Sequence, residues 1–484
     1  MRFVLGLMLL CAAIEGNAQL RNRHWFFGDS VHLRFDPGGP VAMYSNLPSQ
    51  QATSCMSDVA GNFLFAETIN EIRDSSMAIM QGGQGPWLPG GQAWEMAHIF
   101  PRLTDPGVYD VVVSGSLSGN LSSGRIRHVV VDMAGNNGLG IAALDTTWAP
   151  ADSVMPNFAS TVHSNGSDYW YVKHLRSSNQ FKAWRVTPTS VDTVGVISAV
   201  GVTMDHYFLG APYYTMLGGA MVFNLAGDRL FMSTTVAPHV YNDSLLDVME
   251  MFSFDQGSGV LQRLYGIAGR WRAVTAEFSP DGSKLYVVSR DTTAQYMEQF
   301  DISSGDSTLV QTSRTIIHQA SQNSTTRQLR LGPDGRVYVS HGSAFGQNWM
   351  GCITQPDQAG LGCAYIDSYI DLLPHFPITQ LPTMLKRYHD SELILDAPAR
   401  EYYANHLQIW PNPAGTSAWV KLPEGVEVSE LLIMDAVGRA VRVVKPNSFM
   451  LQWLDLQDLS AGTYLVSAWA GEQSLGTARL VLER

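Results

Sequence analysis

The chain has 484 residues, of which 44 are glycine, 23 are proline, 10% are aromatic and only 15% are charged. This length exceeds what one compact core holds, and the composition favours an all-β chain of many short strands and turns. The formal charge of −12, with no concentrated lysine or arginine patch, argues against nucleic acid or anionic lipid as a partner.

The amino-terminal segment is typical of a secretory signal peptide, residues 1–18. Met1 and Arg2 give a positive start, and they are followed by the apolar run FVLGLMLLCAAI, which is too short to span a bilayer. Small residues lie at the spacing that signal peptidase requires, so we expect cleavage between Ala18 and Gln19. The sequence therefore predicts export by the Sec machinery and a mature chain without a transmembrane helix.

Three cysteines remain after the signal peptide is removed, too few for a disulfide scaffold. Cys352 and Cys363 bracket the glycine-rich loop GCITQPDQAGLGC, and an oxidising compartment favours their pairing as a disulfide. The alternative is a pair of buried thiols. Cys55 is expected to be a buried free thiol.

One phrase recurs along the chain, a polar turn ending in glycine between two runs of alternating strand residues. It is clearest in AEFSPDGSKLYVVSR, where Asp281 and Gly282 form the turn, and in RLGPDGRVYVSHG, where Asp334 and Gly335 do. Asp-Gly supplies positive φ at low steric cost, and the flanking residues alternate with period two. The turn glycines recur roughly every 45 to 60 residues, at Gly61, Gly107, Gly166, Gly227, Gly282 and Gly335.

Each copy predicts one hairpin of a small four-stranded sheet, and such sheets must pack radially because one alone cannot bury both of its faces. A second phrase marks the turn between the two outer strands, in RFDPGGPV, SFDQGSGVL and QFDISSGDSTL. The pattern predicts a β-propeller of six or seven blades, with seven favoured. We expect the blade that begins with WFFGDSVHLRF to be completed from the far end of the propeller, near PITQLPTMLKR.

The opening of this region carries a family resemblance. The segment HWFFGDSVHLRFDPGGPV, followed by CMSDVAGNFLF, resembles the aromatic-rich start of secreted bacterial β-propellers of the WD40-like and lactonase-like kind. The resemblance covers about residues 22 to 390 and implies the blade architecture rather than a chemistry. The Gly-His and Trp-Asp pairs of a true WD40 repeat are absent from the sequence, so an intracellular scaffolding role is not expected.

The sequence changes character beyond residue 390, where the polar join DAPAREYYANH precedes a new set of short alternating strands. Strands of this number and length in about eighty residues are typical of a small immunoglobulin-like β-sandwich. We therefore expect a propeller over 19–392, a linker over 393–404 and a terminal sandwich over 405–484.

Four motifs stand in a fixed order in this terminal domain: WPNPA, MDAVGRAV, LDLQDLSAGTYLVSA and ARLVLER. Together they closely resemble the type A carboxy-terminal sorting domain of type IX secretion, the Por family. Trp410 stands where that family more often has tyrosine or phenylalanine. The matching positions are Pro411, Asn412, Pro413, Gly438, Gly462 and Tyr464.

This resemblance implies a route and a set of partners. The protein would pass through the periplasm and cross the outer membrane by the type IX translocon, and a sortase-like peptidase would remove the terminal domain. The mature protein would then lie at the outer-membrane surface or in the extracellular space. The alternative is a structural sandwich that caps the propeller or binds a partner.

Candidate catalytic chemistry is sparse in the propeller. The sequence contains no HExxH, GxSxG, EF-hand or Walker motif. Five histidines lie near predicted inner strands, where a metal site would need them, but buried or exposed loop histidines are expected instead. We predict no catalytic residue, no metal and no cofactor. The histidines are His163, His174, His206, His239 and His341.

Five tryptophans in glycine- and proline-rich connections favour binding of a sugar or peptide at one face of the propeller. The alternative for most of them is packing between blades. The leading hypothesis is a non-enzymatic surface or secreted protein that binds an extracellular glycan, peptide or protein. The alternative is an extracellular hydrolase or lactonase-like enzyme with its site at the axial mouth, where His, Asp or Glu from several blades would converge. The tryptophans are Trp87, Trp94, Trp148, Trp271 and Trp349.

Overall fold

A computed structural model defines two compact units that separate near residue 394. The signal-peptide segment with Ala18 and Gln19, the linker over 393–404 and Gly438 lie outside the described residues. Among the residues described, no helix has the length and apolar character needed to cross a membrane. The structure describes residues 20–28, 30–37, 39–47, 54–68, 71–84, 97–116, 124–145, 154–175, 178–204, 219–233, 249–268, 273–291, 293–321, 326–341, 348–372, 381–386, 407–422, 428–435, 439–446, 451–470 and 473–483.

The first unit contains seven consecutive antiparallel groups of strands, which we call blades 1 to 7. Blade 1 comprises β1 (His24–Phe27), β2 (Val31–Asp36) and β3 (Gly39–Tyr44). Blade 2 comprises β4 (Ser54–Ser57), β5 (Phe63–Glu67), β6 (Glu71–Asp74) and β7 (Ile79–Gln84). Blade 3 comprises β8 (Ala97–Pro101), β9 (Val108–Ser116), β10 (Gly124–Asp132) and β11 (Ile141–Asp145). Its outermost strand β11 pairs in parallel with β7, so that blades 2 and 3 form one eight-stranded sheet. Blade 4 comprises β12 (Val154–Val162), β13 (Tyr169–Leu175), β14 (Ser178–Val186) and β15 (Val196–Met204).

The remaining three blades repeat the same antiparallel order. Blade 5 comprises β16 (Met221–Phe223), β17 (Arg229–Ser233), β18 (Met249–Phe254) and β19 (Leu261–Ile267). Blade 6 comprises β20 (Thr275–Phe278), β21 (Lys284–Arg290), β22 (Ala294–Asp301) and β23 (Thr315–Ser321), with helix α1 (Ser307–Thr312) before its last strand. Blade 7 comprises β24 (Thr326–Leu331), β25 (Val337–His341), β26 (Trp349–Ile353) and β27 (Tyr365–Asp371).

The recurrent turn joins the first and second strands of blades 2 to 7. All six predicted turn glycines have positive φ, from 72° at Gly282 to 97° at Gly107. The turn aspartates are hydrogen-bonded in two ways. Asp281 Oδ1 accepts from the Ser283 backbone at 2.8 Å, while the buried Asp334 accepts from the Tyr338 hydroxyl at 2.7 Å.

The second recurrent phrase explains why blade 1 has three strands. It joins the third and fourth strands of blade 5 and of blade 6, and in blade 1 it joins β2 to β3. The strands of blade 1 therefore correspond to the outer three of a blade. The segment predicted to complete this blade, near PITQLPTMLKR, includes residues 381–386.

Residues 381–386 form no strand and are not paired with β1 in a sheet. Leu381 packs with Trp25 and Phe27 of β1, and Asn22 donates to the Leu385 carbonyl at 2.8 Å. These contacts link the segment to blade 1, and its completion of the blade stays a prediction.

Seven apolar clusters lie between successive blades and close the ring. Each joins the buried face of one blade to that of the next, and the last joins blade 7 to blade 1 through Tyr338, Met350 and Trp25. Because both faces of each sheet are buried, the inner strands read as nearly continuous apolar runs. The prediction of a β-propeller, with seven blades favoured, is confirmed.

The predicted disulfide is wrong, because Cys352 and Cys363 are both free and buried in the structure. Cys352 lies in β26 and points into the cluster between blades 7 and 1. Cys363 lies at the end of a 3-10 helix, in the cluster between blades 6 and 7. The sheet of blade 7 separates the two thiols, and burial raises the pKa of each. Cys55 is also a buried free thiol, as expected.

The second unit is a two-layered sandwich with one apolar core. The smaller sheet has the order β28 (Gln408–Trp410), β29 (Ser417–Lys421), β32 (Leu451–Asp455). The larger has the order β31 (Ala440–Val444), β30 (Glu430–Met434), β33 (Gly462–Ala470), β34 (Gln473–Leu482). The predicted terminal β-sandwich is confirmed.

Two of the turn glycines form a matched pair for a stability test. A Cβ at Gly227 would lie 2.0 Å from Thr161 Oγ1, whereas a Cβ at Gly166 would meet no atom within 4 Å. Both have nearly the same φ, 78° and 76°. Gly166→Ala should therefore lower the free energy of unfolding only by the strain of a left-handed alanine, about 1–2 kcal/mol.

Gly227→Ala should lose a further 1–3 kcal/mol, roughly, because the buried Thr161 cannot move aside without disturbing its blade. Urea unfolding of the propeller transition in both variants measures the difference. Equal midpoints for the two variants would contradict the account of blade packing at this turn.

Candidate functional site

The axis of the propeller is where the inner strands and residues 381–386 meet. Thr383 accepts at its carbonyl from Ser54 Oγ in blade 2 at 3.1 Å and donates its hydroxyl to the Ala97 carbonyl in blade 3. The Leu381 amide donates to Gln328 Oε1 in blade 7 at 2.6 Å. The segment therefore holds the inner strands of several blades together, and we call these groups and their neighbours the axial site.

Lys386 carries the main charge of this segment. Its ammonium group forms an ion pair with Glu277 of β20 and donates to the Phe223 carbonyl of β16 at 2.6 Å. Glu277 is fully buried, and its other oxygen accepts from the Leu331 amide of β24 at 3.0 Å. One buried ion pair thus connects blades 5, 6 and 7.

A second polar group lies across the axial site, on blades 3 and 4. Ser160 Oγ is hydrogen-bonded to Nδ1 of the buried His98, whose ring also packs edge-on against Phe158. Burial, together with the nearby charge of Arg330, lowers the pKa of His98 to about 3. The imidazole is therefore neutral at physiological pH.

The space left between these side chains is small. His98, Ser160, Arg330 and Lys386 line a cavity of about 20 Å³ together with apolar side chains such as Met221. A cavity of this size has room for about one water molecule. Among the residues that the structure describes, the cavity lined by these polar groups is therefore too small for a sugar or a peptide.

Sequence reasoning missed the axial residues, although a signal for some of them was present. Glu277, Arg330 and Val222 each stand five residues before a turn glycine. This offset marks an axial position of the inner strand, and a charged residue there departs from the apolar pattern. Lys386, His98 and Ser160 have no comparable signal, because only the folded ring brings them together.

The predicted histidines do not converge. His163 lies in the turn after β12 and stacks on Trp170, while His174 and His341 end strands of blades 4 and 7. Burial lowers the pKa of His174 to about 4. Within the described residues no group of three potential ligands could hold a metal ion. His206 and His239 lie outside those residues.

Of the five tryptophans assigned to connections, Trp349 is described, and it begins β26 in a half-buried position. That end of the blade is opposite the turn glycines. Trp87, Trp94, Trp148 and Trp271 lie outside the described residues.

The first and last motifs of the terminal sandwich are in contact, although one lies at the start of the domain and the other at its end. Asn412 donates from Nδ2 to the Arg479 carbonyl at 2.7 Å and accepts at Oδ1 from the Val481 amide at 2.8 Å. The Ala414 amide donates to the Val481 carbonyl, and the Glu483 amide donates to the Ala414 carbonyl. The motifs WPNPA and ARLVLER are therefore hydrogen-bonded to each other.

The other motif residues support the sandwich around this contact. The Tyr464 hydroxyl donates to the Ser460 carbonyl at 2.8 Å, and its ring lies in the core. Gly462 begins β33, and Pro411 and Pro413 flank Asn412 in the turn that leads to β29.

Removal of the axial lysine should destabilise the propeller strongly. Lys386→Met leaves the Glu277 carboxylate buried without its cation, which costs about 3–5 kcal/mol. Adding Glu277→Gln should recover part of that loss, because the buried charge is removed with its partner. Chemical unfolding of the single and double variants gives the coupling energy.

Lys284→Met is the matched control, because the Lys284–Asp301 pair at 2.9 Å involves a carboxylate that is 41% exposed. Its loss should change the free energy of unfolding by at most about 1 kcal/mol. Equal effects of Lys284→Met and Lys386→Met would show that the axial ion pair contributes no more than a surface pair.

Loss of the Asn412 side chain should weaken the terminal contact. Asn412→Ala removes two hydrogen bonds, so the sandwich should lose about 1–3 kcal/mol. If the folded terminal domain directs export, the fraction of protein delivered to the surface of a type IX-competent host should fall toward that of a chain lacking 405–484. Immunoblotting of cell fractions measures this fraction.

Lys445→Ala, at an exposed position just after β31, is the control and should be delivered like the wild type. Normal delivery of Asn412→Ala would mean that the contact between the two motifs is not required for export. Normal delivery of the truncated chain would overturn the sorting role of the domain altogether.

Comparison with known proteins bears on both units. Residues 408–483 match the family model of the secretion system C-terminal sorting domain. No curated protein matches the chain.

The chain is also similar to solved structures at low identity. A protein of unknown function from Desulfotomaculum acetoxidans is 11% identical, with 74% of this chain and 98% of that chain covered and a TM-score of 0.43. A glucose dehydrogenase is 11% identical, with 61% and 94% covered and a TM-score of 0.34. TolB from Acinetobacter baumannii is 10% identical, with 67% and 61% covered and a TM-score of 0.30.

The match at 408–483 agrees with the motifs and with the sandwich that joins them. The terminal domain of this chain is therefore a type IX secretion sorting domain, and the protein is one that is exported to the cell surface or the extracellular space.

Proposed function

We propose that the propeller of this exported protein is a binding module for an extracellular glycan, peptide or protein, and that it is not a hydrolase. The proposal rests on the packing of the chain's own residues at the propeller axis. Residues 381–386 lie there, Lys386 is paired with Glu277, and the cavity that the described axial residues line has room for about one water molecule. A substrate would have to displace the chain's own segment to reach these groups.

The hydrolase alternative has one contact in its favour, the hydrogen bond between Ser160 and His98. A serine nucleophile needs a base whose pKa lies near the working pH. Burial holds the pKa of His98 at about 3, so its imidazole is too weak a base for this role. Within the described residues, moreover, no carboxylate is hydrogen-bonded to His98 to orient it.

The end of the propeller opposite the turn glycines is the better place for a ligand. Some of its connections are long in sequence: β17 ends at Ser233 and β18 begins at Met249, and β15 ends at Met204 and β16 begins at Met221. On the turn side β16 ends at Phe223 and β17 already begins at Arg229. Long connections on a rigid scaffold commonly carry binding residues. Trp349 lies at this end, and an aromatic ring suits sugar or peptide ligands.

The test uses the secreted mature protein as wild type, as Ser160→Ala and as the control Ser304→Ala, whose serine is exposed. Each is applied to glycan and peptide arrays and assayed with nitrophenyl esters and lactones. We expect saturable binding to one ligand class, equal in all three proteins, and no hydrolysis above the uncatalysed rate. Hydrolysis that Ser160→Ala abolishes and Ser304→Ala preserves would replace the proposal with the hydrolase.

A further inference from the structure

Three tryptophans stand side by side across the smaller sheet of the sorting domain. Trp410 of β28 is the direct partner of Trp419 of β29, and Trp419 is the direct partner of Trp453 of β32. The three residues are 41%, 44% and 45% exposed. We call them the tryptophan row.

The row lies on the outer face of the sheet because the strands alternate. The residues beside each tryptophan, among them Ala418, Val420 and Leu454, are buried in the core between the two sheets. Adjacent strands lie about 4.8 Å apart, so the row extends about 10 Å across the sheet. Single exposed apolar residues are ordinary, but three large aromatic residues in register are not required by the core.

We propose that the tryptophan row is a binding site for a neutral polysaccharide chain. A sugar ring has an apolar face of C–H groups, which packs on an indole, and a rim of hydroxyls, which needs hydrogen-bonding partners. Ser417, Lys421 and Asp455 share the outer face with the row by strand alternation and supply such partners. One positive and one negative side chain leave the face without net charge, which suits an uncharged ligand.

The exposed area favours a glycan over a second protein. Three indoles at somewhat under half exposure present about 300 Å² of aromatic surface, given 150–250 Å² for a whole aromatic side chain. A standard protein interface buries about 800 Å² on each partner. The row is about 10 Å long, which is about the length of two or three sugar units. Because it runs across the sheet, a polysaccharide chain can extend past both ends of the row.

A membrane surface is the poorer occupant for the same face. Helices and faces that lie in the lipid interface combine aromatic residues with several lysines or arginines. Here Lys421 is balanced by Asp455, and the chain as a whole carries a formal charge of −12. Because the tryptophan row lies in the sorting domain, this proposal is independent of the ligand proposed for the propeller.

The test uses the unprocessed chain from Gln19 to Arg484 in affinity electrophoresis with xyloglucan, mixed-linkage β-glucan, galactomannan and soluble starch. A hexasaccharide of the retarding polymer is then titrated by tryptophan fluorescence. We expect at least one polymer to retard the wild-type protein. Trp419→Ala should bind the hexasaccharide with an affinity at least about ten-fold lower, as for the central aromatic residue of a binding site. Val443→Ser is the control, because Val443 is 54% exposed on the other sheet.

Several outcomes would overturn the proposal. The first is that none of the four polymers retards the wild-type protein. The second is that Trp419→Ala binds as tightly as the wild type. The third is that Val443→Ser loses as much affinity as Trp419→Ala. A wild-type dimer in sedimentation velocity that Trp419→Ala converts to monomer would assign the row to a second copy instead. Thermal unfolding verifies that Trp419→Ala is folded, and Trp453→Ala repeats the comparison if it is not.

Discussion

The propeller depends on one constraint, the burial of both faces of every blade. A four-stranded sheet with apolar side chains on its two faces needs a neighbour on each side, and only a closed ring gives every blade two neighbours. The seven inter-blade clusters satisfy this requirement, and the cluster of Trp25, Tyr338 and Met350 closes the ring between blades 7 and 1. The same requirement places Cys352 and Cys363 in different clusters, on either side of the sheet of blade 7.

Ring closure also determines the character of the axis. The inner strands bring charged and polar groups of several blades to one small space, where each charge needs a partner because water is largely excluded. Lys386 supplies the partner for Glu277, and other residues of its segment are hydrogen-bonded to blades 2, 3 and 7. The Lys386–Glu277 pair thus satisfies a structural requirement of the axis.

The sorting domain uses its two ends in a similar way. Asn412 near its start holds the backbone of β34 at its end, so the fold is complete only when the last strand is in place. This contact keeps the first and last motifs together on the folded sandwich. The tryptophan row lies on the opposite side of the smaller sheet from the core, where packing does not require large aromatic residues.

The sequence by itself determined the features that depend on local chemistry. Glycines that need positive φ, alternation with period two and the order of motifs after Trp410 were enough to predict the blades, the sandwich and the sorting domain. Only the tertiary structure decided what depends on distant parts of the chain. Glu277 and Lys386 are 109 residues apart in the sequence. A local sequence pattern also does not determine which face of a sheet packs against which adjacent blade. The pairing at the axis, the separation of the thiols and the alignment of the tryptophans therefore followed from blade closure and strand register.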